Sequence, residues 1–490
     1  MRKKGDIVYI NKKPYTLGDM IGGGVQGYVF NIENLPKYVI KIFNTNSMSD
    51  NDIKHLRHRL EWLKTSLSNT ELKHKLALPK GLLDDDLGYV MAKADHHDSV
   101  NSYIDMGESD PKEWLLTQYK LKRRYQIIVS LFQSLREVHL NGLIFTDLSP
   151  SNVLVHKKEN QIVFIDTDNL RNKKEKYLSV LGTPGYMAPE IYRVVDESFM
   201  KRAKISPSII SGSGAISVDT DIFSAAVIAF ELLTLQHPFI GDSIEEGTAE
   251  NEEAALRCET DFIHKFGTQN ISTRQLSPYY EKLTTMNIRT LFERTFINGK
   301  NMPKERPTDL DFLESFHRGL DLIVPCPHCG FENIEFEHAP YECVFCTKLI
   351  DPHPTLVIEV EYKETSKETL INKITNSEVF EEIKVLNSNI RHEISRIVLE
   401  NDKVKSLFLR HFEENENRSE TYAQVKVVDG REAKFSVNSK HFKDPQLIHK
   451  INKRRIPLDT DKGFPMYEYD IIIESKTSNV SDFRIVASFL

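Results

Sequence analysis

Asp147-Leu148-Ser149-Pro150-Ser151-Asn152, with Asp166 fourteen residues beyond, is the stretch on which the fold turns. It puts an acid, an amide and a second acid on one short β-rich segment. Val153-Leu154-Val155 and Ile162-Val163-Phe164-Ile165 read as strands around a polar turn, so they should pair antiparallel with their ends at one cleft. A carboxylate to align an attacking hydroxyl, with an amide oxygen and another carboxylate for a divalent cation, is the set that phosphoryl transfer needs. A plain hairpin with acidic ends would look the same, because short motifs often match by chance.

Working outward, Ile21-Gly22-Gly23-Gly24-Val25-Gln26-Gly27-Tyr28-Val29 fits G-x-G-x-x-G-x-V. Glycines let a backbone approach phosphates closely. Strand-like residues flank the glycines (Thr16-Leu17 and Tyr28-Val29-Phe30), which disfavours a dinucleotide fold, where a helix must follow. Tyr38-Val39-Ile40-Lys41-Ile42-Phe43 is an apolar strand with one charge, and a lysine there wants an anionic partner. The helical stretch from Asp50 to Leu67 carries Glu61, which could pair with Lys41 or stand in solvent. Downstream come Gly182-Thr183-Pro184-Gly185-Tyr186-Met187-Ala188-Pro189-Glu190 and then Asp219-Thr220-Asp221, opening an apolar helix to Leu235. Glu305-Arg306-Pro307-Thr308 starts another helix, with the proline expected in its first turn.

These residues, in this order, resemble the eukaryotic-type protein kinase family from about Tyr15 to Leu320. The resemblance implies an α+β chain with a bilobal kinase fold: an N-lobe over residues 1–94 and a C-lobe over 95–322. It implies that Gly22, Gly24, Gly27 and Val29 cover ATP, and that Lys41, paired with Glu61, contacts its phosphates. Met91 would be the gatekeeper and Ala92-Lys93-Ala94 the hinge along the adenine. Asp147 would be the catalytic base, Asn152 and Asp166 the Mg²⁺ ligands, and Asp221 the holder of the catalytic-loop backbone. Glu190 and Arg306 would form a buried ion pair. Thr183 matches the threonine that serine/threonine kinases keep beside the catalytic acid, so serine and threonine hydroxyls are the implied acceptors.

Three departures from the family stand out. Phe145-Thr146 replaces the His-Arg before the catalytic acid, which removes the usual partner of an activating phosphate. Ser149 stands where a lysine would touch the γ-phosphate. Asp166-Thr167-Asp168 replaces Asp-Phe-Gly, and Asp166, ending the apolar strand, is preferred over Asp168 as the metal ligand. Every group required for chemistry is present. The rival reading is a pseudokinase or nucleotide-binding scaffold; a small-molecule kinase is disfavoured, because Gly182 to Glu190 suits an extended peptide.

The composition agrees. A 490-residue chain with net charge −7 and interspersed signs argues against a nucleic-acid surface. No apolar segment follows Met1-Arg2-Lys3-Lys4, and the longest apolar run, Ala225 to Phe230, is too short to cross a bilayer. A soluble cytoplasmic protein is expected. Two segments exceed the family's usual length: Tyr192 to Val218, basic then Ser/Gly-rich, and Asp242 to Phe266, acidic and helical.

Four of the five cysteines form Cys326-Pro327-His328-Cys329 and Cys343-Val344-Phe345-Cys346. Paired C-x-x-C knuckles present four thiolates to a tetrahedral metal, and Gly330 supplies a turn. Structural Zn²⁺ in a ribbon over 323–352 is favoured over redox dithiols or disulfides. His328 is not counted as a ligand, and Cys258 is taken as an ordinary thiol. Four glutamates between Phe331 and Glu342 disfavour nucleic acid as its partner.

In the tail, 353–490, strands are expected at Leu356–Val360, Lys405–Leu409, Ala423–Val428 and Tyr469–Ile473, with Asp429-Gly430 as a hairpin turn and a helix from Lys367 to Leu386. This reads as a small β-rich domain, a sandwich resembling forkhead-associated folds; Arg391 and Ser395 are candidate loop residues for a phosphothreonine. The order kinase, ribbon, β-domain resembles bacterial kinases that accompany von Willebrand A-domain proteins and protein phosphatase 2C-type phosphatases. A protein substrate and such partners are therefore implied.

Overall fold

The computed structural model describes residues 2–24, 26–46, 48–117, 120–172, 182–193, 216–335, 339–362, 390–400, 402–408, 421–437, 445–460, 462–473 and 483–490. The chain divides into two compact units, Met1–Leu313 and Glu314–Leu490.

The first unit opens with an antiparallel sheet of β1 (Ile7–Ile10), β2 (Lys13–Gly23), β3 (Gly27–Ile32), β4 (Tyr38–Phe43), β5 (Gly81–Leu82) and β6 (Gly88–Ala92), ordered β1-β2-β3-β4-β6-β5. Helix α1 spans Asp50–Leu67, the range expected from the sequence. Ser49 and Asp52 cap it reciprocally, satisfying two orphan N–H groups. Its buried stripe is Leu56, Arg59, Leu60, Leu63 and Leu67, a 3.6-residue period. Leu56 and Leu60 pack with Val39, Phe43, Tyr89 and Met91 on one face of the sheet. That packing places the inner face of α1 near Lys41.

The rest of the unit is mainly helical. After β7 (His97–Ser99), the helix Leu121–Leu140 leads to β8 (Leu143–Ile144). Then β9 (Val153–His156) and β10 (Ile162–Phe164) pair antiparallel, as the opening stretch predicted. Strand β11 (Arg171–Asn172) pairs antiparallel with β8. Helix Val218–Thr234 is buried on every side from Thr220 onward, the pattern of a central core helix. The Asp242 to Phe266 stretch is less helical than expected: two short helices, Asp242–Glu245 and Ala249–Leu256, flank Gly247, and Thr248 caps the second. Pro307 lies before the cap rather than in the first turn, because Thr308 and Asp311 cap the helix Asp309–Leu320 reciprocally. Residues 194–215, most of the Tyr192 to Val218 insertion, lie outside the described residues.

The second unit holds two short hairpins, β12 (Ile323–Pro325) with β13 (Glu332–Ile334) and β14 (Tyr341–Glu342) with β15 (Leu349–Ile350). Ten strands follow: β16 (Thr355–Tyr362), β17 (Ile390–Val398), β18 (Val404–Phe408), β19 (Thr421–Val428), β20 (Glu432–Val437), β21 (Gln446–His449), β22 (Arg455–Pro457), β23 (Phe464–Pro465), β24 (Tyr469–Ile473) and β25 (Phe483–Phe489). They form a six-stranded sheet, β17-β16-β25-β24-β21-β22, and a four-stranded sheet, β18-β19-β20-β23. Alternate residues of both sheets (Leu356, Ile358, Val425, Val427, Ile471, Ile473) share one core, which makes a sandwich. Asp429 and Gly430 turn β19 into β20 with both φ positive, as a two-residue hairpin turn requires. Arg391 and Ser395 lie within β17 rather than in loops, and Ser395 is buried. The helix expected from Lys367 to Leu386 lies outside the described residues.

Candidate active site

Lys41 is buried in the middle of β4, opposite Val29 on β3 and Tyr89 on β6. The β2–β3 hairpin closes beside it: Gly24 N–H donates to Gly27 O at 2.9 Å. Gly27 is demanded by packing, because a Cβ there would sit 2.3 Å from the Ile42 carbonyl. Gly22 and Gly24 have room for a side chain, so their smallness leaves space above the cleft. Met91 is buried next to Val39 near the end of β6, and Ala94 follows, half-buried, just past the strand.

Below, Thr183 Oγ1 donates to Asp147 Oδ1 at 2.7 Å, and Asn152 Nδ2 donates to the Asp147 carbonyl at 2.9 Å. Ile165 N–H donates to the Asn152 carbonyl at 3.0 Å, which brings Asp166 alongside the amide. Asp166 adopts φ 54°, and its side chain is 30% exposed. Phe145 N–H donates to Asp221 Oδ2 at 2.6 Å, so the core helix holds the loop backbone, as the resemblance implied. Thr146 Oγ1 donates to the Asn169 carbonyl at 2.8 Å. Arg306 grips Glu190 with two bonds of 2.7 Å, and its side chain is fully buried. Such a bidentate, desolvated pair is lost at high cost if one partner goes.

Charge and burial compete at this site. Burial pushes the Asp147 carboxyl above its usual range, against the Thr183 hydrogen bond, and nearby Asp166 and Asp168 push the same way. Burial also raises Asp166, against the attraction of Lys41. Burial opposes the Lys41 ammonium, but Asp168 and Asp166 outweigh it and hold the ammonium above the ordinary lysine value.

His139 sits between two acids, its Nε2 3.0 Å from Asp221 Oδ2 and its Nδ1 2.9 Å from Asp309 Oδ2. Burial works to lower it, yet the two carboxylates prevail and raise it from 6.5 to about 9. The imidazolium therefore adds stability that is fully present below pH 6.5 and is lost as pH rises to about 9. The loss should approach about 3 kcal/mol, from the cost per pH unit. Urea unfolding at pH 6.5 and pH 9 should show it in wild type, with a smaller difference in His139→Gln. Equal pH dependence in the two proteins would count against this role.

One expected pairing does not form. Glu61 is exposed on α1 and pairs with Lys64 at 3.0 Å, not with Lys41. The helix period explains it: Glu61 lies two residues, roughly 200° of turn, from Arg59 on the buried stripe. The residue α1 sends inward is Arg59, whose Nη1 donates to the Asp168 carbonyl at 3.1 Å. Asp168, set aside as a second choice of metal ligand, meets Lys41 at 2.9 Å and accepts from Tyr89 Oη at 3.1 Å. Arg59, Tyr89 and His139 were missed by sequence reasoning. Arg59 was findable, since a cation in step with Leu56, Leu60 and Leu63 must meet an oxygen inside.

In the second unit the sulfurs of Cys326, Cys329, Cys343 and Cys346 all lie within 4.8 Å of one another. Cys326 and Cys346 are 3.8 Å apart and Cys329 and Cys343 3.7 Å. A tetrahedral ion with Zn–S bonds of about 2.3 Å spaces its sulfurs at about 3.8 Å, whereas a disulfide needs about 2.0 Å. Gly330 at φ 77° lets its N–H reach the Cys326 carbonyl at 2.8 Å, and His328 N–H points at Cys326 Sγ at 3.4 Å. The donor set and its spacing fit zinc. His328 Nε2 instead faces the Leu349 carbonyl at 3.3 Å. Cys258 is buried far up the chain, and burial pushes its thiol above the usual range, as suits an unreactive group.

A sheet lobe and a helical lobe carrying this set of side chains define the protein-kinase class of fold. The family model described as protein kinase domain matches residues 15–308, more than half of the chain. The chain belongs to the protein kinase family. Relatives include the serine/threonine-protein kinase nekl-2 of Caenorhabditis elegans, 22% identical over 42% of this chain and 52% of that protein. The serine/threonine-protein kinase PknD of Protochlamydia amoebophila is 24% identical over 47% of this chain and 24% of that protein. Myosin light chain kinase family member 4 of Homo sapiens is 27% identical over 50% and 56% respectively. The match thus spans less than two thirds of each relative. Among the described residues, no helix is long and apolar enough to cross a membrane.

Proposed function

We propose that the chain is a serine/threonine protein kinase, moving the γ-phosphate of ATP to a hydroxyl of a protein. The observation that carries this reading is Asp147 with Thr183 donating to one carboxylate oxygen and Asn152 tied to its carbonyl, next to Asp166 and Lys41. Asp147 orients the hydroxyl and accepts its proton. Lys41 holds the phosphates, the β2–β3 hairpin with Gly22, Gly24 and Gly27 covers them, and Val29, Met91 and Ala94 bound the adenine. Asn152 and Asp166 would hold Mg²⁺, which supplies charge neutralisation on the phosphates. Glu61 is left out of the catalytic set. Thr146 in place of the arginine that usually meets an activating phosphate argues against a switch by phosphorylation of the segment after Asp166. Activity should depend on Mg²⁺ and disappear in Lys41→Met; transfer that survives either removal would refute the reading.

In the second unit the proposed metal is zinc on Cys326, Cys329, Cys343 and Cys346, within a ribbon over 323–352. The sandwich over 353–490, like forkhead-associated folds in its two-sheet build, is proposed to select the substrate. Proteins of the von Willebrand A-domain and phosphatase 2C types are the proposed partners, on the domain order alone. Four reduced thiols on one metal suit a cytoplasmic setting.

A further inference from the structure

We infer that Asp168 is the residue that positions Lys41, in place of an acid on α1, and that this leaves Asp166 for the metal. The inference rests on the proposed contact between Lys41 and the ATP phosphates. Asp166 and Asp168 flank Thr167 in a tight 3₁₀ turn, Thr167–Asn169. Residues two apart in such a turn point in different directions. Their burial shows the consequence: the Asp168 side chain is 3% exposed and that of Asp166 is 30% exposed.

Asp168 is fixed from three elements. Lys41 on β4 and Tyr89 on β6, which face each other across the sheet, both reach its Oδ1, at 2.9 and 3.1 Å. Arg59 on α1 donates to its carbonyl at 3.1 Å. A buried ammonium needs a hydrogen-bonded counter-charge, and Asp168, as enclosed as the lysine itself, supplies one. Asp166, 3.2 Å from the same ammonium, is the partner open to the cleft. A divalent cation arriving there competes with Lys41 for that carboxylate, and Asp168 then keeps the lysine in place. The arrangement also changes what α1 does. It supplies no acid to the lysine; through Arg59 it braces the backbone of the acid that does.

The test uses the full chain, with steady-state kinetics and equilibrium binding of a fluorescent ATP analogue. Asp168→Asn keeps the shape and removes the charge. It is expected to raise the KM for ATP and the analogue's Kd by about tenfold or more, with the Mg²⁺ midpoint unchanged. Asp166→Asn should instead shift the Mg²⁺ midpoint and lower kcat. Tyr89→Phe, which removes one hydrogen bond to the same oxygen, should raise the KM roughly two- to tenfold with kcat unchanged. A folded Asp168→Asn protein with KM within about twofold of wild type overturns the inference. So does one whose Mg²⁺ midpoint moves as in Asp166→Asn. If Asp168→Asn does not fold, an unchanged KM in Tyr89→Phe overturns it alone. In each of these outcomes a wild type that transfers phosphate, with an inactive Lys41→Met, leaves the kinase reading standing. A wild type that binds no ATP analogue takes both down.

Discussion

Asp147→Asn should lower phosphate transfer by roughly 10²- to 10⁴-fold, the range set by a positioned general base. The amide can still accept from Thr183, so the hydrogen bond of 2.7 Å need not be lost and the fold should hold. What goes is the negative charge that orients the hydroxyl and takes its proton. The KM for ATP should change little, because Asp147 is tied to Thr183 and Asn152 rather than to Lys41. The wild-type pH profile gives a second readout. Burial lifts the Asp147 carboxyl, and the base must be ionised, so the acid limb of kcat/KM should fall at a pH above the ordinary carboxylate range. Steady-state kinetics between pH 4 and pH 9, on both proteins, would show these effects. A variant within threefold of wild type would remove Asp147 from the chemistry.

The second large effect concerns the cysteines. Purified protein should carry about one zinc per chain, and Cys343→Ser should lose it. Structural zinc sites contribute about 10–16 kcal/mol in zinc-finger peptides, far more than two short hairpins can supply without metal. Loss of the ion should therefore open the ribbon strands β12 to β15. Asn333 makes the coupling concrete: its side chain donates to Cys343 Sγ and accepts from Val344 N–H at 2.9 Å. Limited proteolysis with and without chelator, alongside metal analysis, reads the outcome. A zinc-free protein with an uncut ribbon would show that the thiols hold no structural metal.

The kinase unit was legible where local pattern and tertiary role coincide. The β9–β10 hairpin, the limits of α1 and the glycine turn all follow from periodicity, capping and turn chemistry in adjacent residues. Asp147, Asn152, Asp166 and Lys41 were found by type and spacing, Thr183 through the family resemblance, and the structure brings them together. Glu61 was misplaced because family spacing was followed where the helix period pointed to Arg59. The role of Asp168 depends on which way a tight turn aims two nearly adjacent acids, and spacing does not carry that. In the sandwich, β17 and β25 went unread although they flank β16. Their sequences mix charge with apolar residues, and their pairing with β16 joins segments far apart along the chain, which local pattern does not show.

The most direct test is phosphoamino-acid analysis after incubating the full-length protein with γ-labelled ATP, Mg²⁺ and a mixed protein substrate. Label in phosphoserine or phosphothreonine, absent with Asp147→Asn, is the expected result. Label confined to phosphotyrosine, or no transfer by wild type that binds ATP, would contradict it.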